Sequence, residues 1–235
     1  MFHGVYEDFA SAMKAIPPHA RVGCDNVEGV DRFNLILDKL WPSDYPILFW
    51  LKTLIEKGTT VFDLGGNVGL AFWGCAPYID YPPDLVWTVC EVPVVAQRGK
   101  ELAEERKERR LFFTTDMEQM ASVDILLASG ALHMIEAPLW DTLAKSLDQP
   151  RHLLFNRVPL YDGPSFATMY NIGPAITAYQ VWNRSEFMRH LEDCGYELID
   201  LWATPEWGCS IPFHRERNVD AFTGMYLKRA GTKAA

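Results

Sequence analysis

From residue 59 onward, short apolar, β-branched runs alternate with longer amphipathic stretches. Thr59-Thr60-Val61-Phe62-Asp63-Leu64 reads as a buried strand that breaks into the turn Gly65-Gly66-Asn67-Val68-Gly69. Runs at 85–91, 111–117, 123–130 and 153–156 read as four more strands. The stretches between them, notably 94–109 and 138–147, carry helical periodicity. Further on, Asn183 stands as a helix cap before an apolar stripe of Phe187, Leu191 and Cys194 that stops at Gly195. Runs at 197–202 and 221–227 then close the pattern as an antiparallel pair. Near-continuous apolar strands separated by amphipathic helices predict a mostly parallel sheet covered on both faces, with ligands at the carboxyl ends of its strands. The expected architecture is therefore α/β: a Rossmann-like three-layer sandwich on a seven-stranded sheet with an antiparallel C-terminal strand. Residues 1–58 read as a helical lead-in, with helices at 31–40 and after Ser43, that can act as a lid over a ligand-binding domain spanning 59–235.

The glycine turn narrows the ligand. A dinucleotide fingerprint needs glycines at 65, 67 and 70, where this chain has Gly65, Asn67 and Leu70. A phosphate loop needs Gly-Lys-Ser/Thr where Leu70-Ala71-Phe72 stands. The pattern Asp63-x-Gly65-Gly66-x-x-Gly69 resembles the first motif of class I S-adenosylmethionine enzymes, with Asn67 in place of the usual middle glycine. Glu91 ends the second strand twenty-two residues past Gly69, where a carboxylate accepts from two ribose hydroxyls. At the end of the third strand Asp116 is suited to the adenine amino group and Met117 to the ring face; Ser129 and Gly130 end the fourth. For each of these, a turn or surface role is the competing explanation.

A wider resemblance rests on Asn156-Arg157-Val158-Pro159-Leu160, Pro164-Ser165-Phe166, Asn171-Ile172-Gly173, Asn183-Arg184 and Ile211-Pro212-Phe213-His214. These segments, within roughly residues 60–228, resemble a family of bacterial methyltransferases, and the chain is similar to azetidine-2-carboxylate synthases, which share that fold and serve peptide-antibiotic pathways. The resemblance implies cyclisation of S-adenosylmethionine to azetidine-2-carboxylic acid with release of methylthioadenosine. Methyl transfer to a small metabolite and non-catalytic binding of S-adenosylmethionine remain as alternatives. Ring closure needs a bent tail, a neutral amine and exclusion of water. Asn156 is positioned to orient the amine, Tyr170 and Tyr179 to hold its amine or carboxylate, and His133 to act as a conventional acid or base. Tyr161, Phe166 and Trp182 complete an aromatic connection that core packing explains equally well. His214 is a second candidate base for methyl transfer, and Arg157 and Arg184 are candidate carboxylate binders.

Composition changes this picture by exclusion. The chain has 235 residues and a formal charge of −9, which disfavours a nucleic-acid footprint or an anionic membrane surface and leaves a small molecule as the expected partner. Five cysteines without a Cys-x-x-Cys pair fit a reducing, cytoplasmic setting, and the scattered histidines predict no metal. Oligomeric state is not legible.

Overall fold

The computed structural model describes residues 1–23, 25 and 37–231. In chain order the elements are β1 (Phe2–Tyr6), α1 (Phe9–Lys14), α2 (Tyr45–Leu54), β2 (Thr60–Leu64), α3 (Leu70–Cys75), β3 (Val86–Cys90), α4 (Pro93–Glu105), β4 (Leu111–Thr114), β5 (Ile125–Ser129), α5 (Leu139–Lys145), β6 (His152–Val158), β7 (Leu160–Tyr161), β8 (Phe166–Asn171), β9 (Ile176–Asn183), α6 (Arg184–Asp193), β10 (Tyr196–Thr204) and β11 (Phe222–Arg229). Seven strands form the main sheet in the order β10-β11-β6-β5-β2-β3-β4, and only β11 runs against its neighbours. The expected three-layer α/β sandwich is the fold observed.

Alternation along β2 explains the layers. Val61 faces a cluster built with Ile47 and Leu51 of α2, Phe72 of α3 and Leu102 of α4. Its neighbour Phe62 faces the opposite cluster, with Leu143 of α5 and Leu191 of α6. Both side chains are essentially solvent-free, and each buried residue of this size contributes roughly 1.5–3 kcal/mol. Asp63 is two residues beyond Val61, so its carboxylate points into the same apolar layer, and that makes it the feature of the sheet most in need of a partner. Asn183 caps α6 as the sequence suggested, its side chain accepting from the Glu186 N–H.

Two parts of the chain depart from the expectation. Phe2–Tyr6 is a strand, where a helical lead-in is predicted; it pairs antiparallel with β8 because a partner edge is available that local pattern does not reveal. The aromatic stretch after residue 161 is a hairpin, where a connection is predicted: β8 and β9 pack Phe166, Tyr179 and Val181 on one face and Ala167 and Ala178 on the other, and Gly173, at a φ of 103°, lies in the turn. With β7 these strands form a second, four-stranded sheet, β1-β8-β9-β7. The helix predicted at 31–40 falls mostly on residues outside those described, and Leu37 and Asp38 lie in a turn.

Candidate active site

The turn after β2 is built on three left-handed residues: Gly65 at φ 67°, Asn67 at 56° and Gly69 at 89°. Gly65 is packed so closely that a Cβ there would stand 2.3 Å from the Ala131 Cβ, so the loop after β5 rests on it. At Gly66 the added Cβ would meet the Asp63 carboxylate at 2.3 Å. Asn67 departs from the usual glycine without conflict, because asparagine tolerates left-handed backbone and its Oδ1 accepts from the Val68 N–H at 2.9 Å. Several backbone donors of this turn are already engaged. Asn67 N donates to Glu91 Oε1, and Gly69 N and Leu70 N both reach the Gly66 carbonyl. The helix that follows has only six residues. The turn therefore keeps few N–H groups for a ligand, and the Asp63 and Glu91 carboxylates stand beside it.

Asp63 is 1% exposed, and its Oδ2 accepts from the Trp87 indole N–H at 3.2 Å. Its Oδ1 has no partner. Burial raises its pKa to about 7 against the Trp87 hydrogen bond, with Glu91 adding a smaller push in the same direction. Glu91 is half-buried, and burial raises its carboxyl too. Besides Asn67, Glu91 accepts from the Val92 N–H at 2.9 Å, so it shapes the turn and keeps lone pairs over for a diol. Asp116 is exposed and caps the 3-10 turn that follows it, accepting from the Glu118 N–H at 2.9 Å. Met117 is half-buried and packs with the α5–α6 face of the core.

A cavity of about 130 Å³ opens beside Asp63, floored by Gly65, Gly66 and Ser129 and roofed by Trp41, Asp44 and Trp207. Arg157 completes its wall through a β-bulge. Thr223 and Met225 of β11 pair with Val158 and Phe155, so Asn156 and Arg157 together oppose Gly224. Arg157 takes a left-handed φ of 59°, and its guanidinium pairs with Asp44, reaches Ser43 Oγ and lies 4.8 Å from the Trp207 ring centre. Gly224 has no side chain, so the Trp202 ring lies across it and donates to Asn156 Oδ1 at 3.2 Å. Because an indole N–H only donates, Asn156 is left with its amide nitrogen facing Asp44 (3.2 Å) and Ser129 Oγ (3.4 Å). Its oxygen was expected to orient a reacting amine; that oxygen is engaged by Trp202. Asp44, Trp207 and Trp202 were not anticipated, since nothing near them in sequence marks them. Gly130, at φ 77°, borders Arg157.

His133, Tyr170 and Tyr179 gather elsewhere. Tyr179 stacks on His133 with ring centres 4.0 Å apart, and Tyr170 stacks on Phe2 of the second sheet at 4.6 Å. None of the three lines the Asp63 cavity. His133 is 4% exposed, its Nδ1 has no partner, and burial lowers its pKa to about 3. The ring is held in its neutral form against Tyr179, apart from the Asp63 cavity. His214 lies in a surface loop 3.6 Å from Glu216, and Arg184 pairs with Asp162. Among the described residues no group of three or more His, Cys, Asp or Glu could hold a metal, and no helix is long and apolar enough to cross a membrane.

No protein-family model and no curated protein sequence matches the chain. Its fold is that of solved class I methyltransferases. A putative methyltransferase of Haloferax volcanii, solved in complex with the Trm112 activator, is 16% identical with a TM-score of 0.58, covering 88% of this chain and 96% of that one. Magnesium protoporphyrin IX methyltransferase of Synechocystis PCC 6803, solved with S-adenosylhomocysteine, is 14% identical with a TM-score of 0.56, covering 87% and 95%. The 4+2 cyclase SpnF is 12% identical with a TM-score of 0.54, covering 78% and 80%.

Proposed function

We propose that this protein is an enzyme that consumes S-adenosylmethionine and closes the methionine tail of that substrate to azetidine-2-carboxylic acid. The observation that carries this reading is the unpartnered oxygen of Asp63 on the wall of a roofed cavity of about 130 Å³. That volume is well below the roughly 300–1,000 Å³ of common ligand pockets. It suits an amino-acid tail. The residues fit the proposed ligand: an ammonium group satisfies the Asp63 oxygen, the cavity offers both carboxylates and cations to a zwitterionic tail, and Glu91, Asp116 and Met117 lie along the strand ends for ribose and adenine.

When bound, the sulfonium supplies the leaving group: attack of the tail amine on the γ-carbon breaks the carbon–sulfur bond, and the electron pair leaves with methylthioadenosine. Asp63 takes the proton of the incoming ammonium, which frees the nitrogen lone pair; a carboxyl with a pKa of about 7 is matched to that transfer near neutrality. Arg157, held over Trp207 and paired with Asp44, is a cation on the same wall, which Lys39 also lines, and holds the tail carboxylate. Residues 39–47, as part of the 1–58 segment, serve as the lid that keeps water out. Ser129 and Gly130 border the reacting end. Tyr170, Tyr179 and His133 stiffen the second sheet behind it.

A second reading, methyl transfer to a small acceptor, is favoured by the likeness to methyltransferases of known structure. Incubation of the purified protein with S-adenosylmethionine alone, followed by mass spectrometry, separates the two. Methylthioadenosine together with a C4 imino acid supports cyclisation. S-adenosylhomocysteine formed only with an added acceptor overturns it in favour of transfer. Calorimetry that detects no S-adenosylmethionine binding overturns both, and binding without turnover leaves a non-catalytic binder.

A further inference from the structure

A second cavity, of about 250 Å³, lies away from the Asp63 corner, between the start of α5, β9 and the first turns of α6. Three aromatic rings wall it. Trp140 stands across from Trp182 at 6.5 Å and 70°, and from Phe187 at 5.7 Å and 87°, while Trp182 and Phe187 are 5.3 Å apart. Phe187 and Trp182 are 2% and 8% exposed, so two walls are anchored in the core, and Trp140 is half-buried at the mouth. His190 stacks on Trp140 at 4.5 Å, nearly parallel, which fixes the ring's plane.

The rim is acidic. Glu136 and Glu186 both line the opening and both are exposed, and Glu186 Oε2 accepts from Ser165 Oγ at 3.3 Å, which holds it over the cavity. Neither lysine nor arginine is among the lining residues. The ring planes are inclined at 55° to 87° to one another; aromatic faces carry negative quadrupole density, and carboxylates at the entrance add to it. A neutral apolar guest gains nothing from those carboxylates. A primary ammonium would turn its N–H groups to the oxygens of the rim and away from the ring faces. A quaternary ammonium has no N–H to strand, and its charge is spread over methyl groups that pack against the rings. We propose that the Trp140–Trp182–Phe187 cavity is a binding site for a small quaternary ammonium compound, separate from the site at Asp63.

The test uses the full chain and two probes of equal shape, choline and its neutral isostere 3,3-dimethylbutan-1-ol, titrated by calorimetry. Choline is expected to bind at least about tenfold more tightly than the alcohol, the margin expected of a desolvated cation–π site. Trp140→Ala is expected to weaken choline by about tenfold or more. Glu186→Gln, which keeps the backbone N–H that Asn183 caps, should weaken it severalfold while leaving the melting temperature unchanged. Equal affinity for the two probes overturns the proposal and marks the cavity as merely apolar. No choline binding by a folded protein overturns it as well, as does competition of choline with S-adenosylmethionine, which would place the cation in the Asp63 site. Failure of the cyclisation assay leaves these outcomes unaffected.

Discussion

Asp63 and His133 are both buried titratable side chains with one polar atom unpartnered, yet they differ in what surrounds that atom. Asp63 borders a cavity, shares its corner with Glu91, and holds its proton up to a pH of about 7. His133 is pressed between Tyr179 and Phe222 and stays neutral down to about pH 3. Burial shifts both groups toward their neutral forms, as it must in an apolar medium. At Asp63 the shift brings the group into the range where it exchanges a proton near neutral pH, and a cavity opens beside it. The comparison teaches that depth of burial does not distinguish a working group from a packed one; the adjoining void does.

The strongest way to break the Asp63 side is at its floor. Gly65→Val puts a β-branched residue at a φ of 67° and drives a Cβ into Ala131, so folding of the corner and S-adenosylmethionine binding should both be lost. Gly130→Ala is the control, because its φ of 77° carries similar strain but the nearest atom to an added Cβ is 3.7 Å away. It should cost only about 1–2 kcal/mol in denaturant unfolding. Retained ligand affinity in Gly65→Val would refute the packing assigned to this turn.

Next in size is Asp63→Asn, expected to lower turnover by about 10²–10⁴-fold through loss of the proton acceptor. Its effect on stability should have the opposite sign. The folded-state pKa of about 7 lies above the ordinary 3.8, so the ligand-free fold holds a proton that the unfolded chain gives up. Stability therefore falls as pH rises from about 4 to 7 and stays low above that. The amide removes the penalty, and chemical denaturation at pH 8 should show the variant more stable by on the order of 3 kcal/mol. A variant both inactive and less stable at pH 8 would contradict the burial argument.

Much of this corner was legible beforehand, and the reason is locality. Asp63, the glycines and Glu91 lie at the ends of strands whose apolar runs are continuous, so strand, turn and acid can be read in one window. Asn67 was visible as an anomaly and its explanation is equally local. The rest depends on contacts between distant segments. The bulge at Asn156–Arg157 exists because β11 presents Gly224 opposite, and Trp202 fills the gap from a third strand. Asp44 meets Arg157 across 113 residues. The second sheet was missed for the same reason: a five-residue β1 has no strand signal of its own until β8 lies beside it.

The Arg157–Asp44 pair tests the lid more gently. Its two side chains are 15% and 16% exposed, so neither charge is fully desolvated. Asp44→Ala leaves the guanidinium with Ser43 and the Trp207 face and releases the Trp41 N–H, at a cost of about 1–3 kcal/mol. If residues 39–47 close over the tail, the Michaelis constant should rise by about tenfold with a smaller change in turnover, since loosened closure removes binding shared by ground and transition states. A change in turnover alone would place Asp44 in the chemistry and not in the cover.

The smallest effect comes from the other half of the comparison. His133→Phe keeps a flat ring to stack on Tyr179 and removes the titratable nitrogen, so activity should stay within a few-fold of the parent if the histidine is packing alone. Its signature is in acid. The folded pKa of about 3 lies below the ordinary 6.5, so as pH drops below 6.5 the unfolded chain takes up a proton that the fold refuses. Stability is lost from that point down to about pH 3, at ~1.4 kcal/mol per pH unit once the unfolded histidine is fully protonated. His152, whose pKa burial and Lys228 lower to about 4, adds a similar slope in both proteins and cancels in the difference. Urea unfolding at pH 7 and pH 4.5 should therefore show the variant gaining about 2 kcal/mol on the parent. Parallel curves would mean that His133 is charged in the fold, and a charged imidazole there would make it a candidate for catalysis after all.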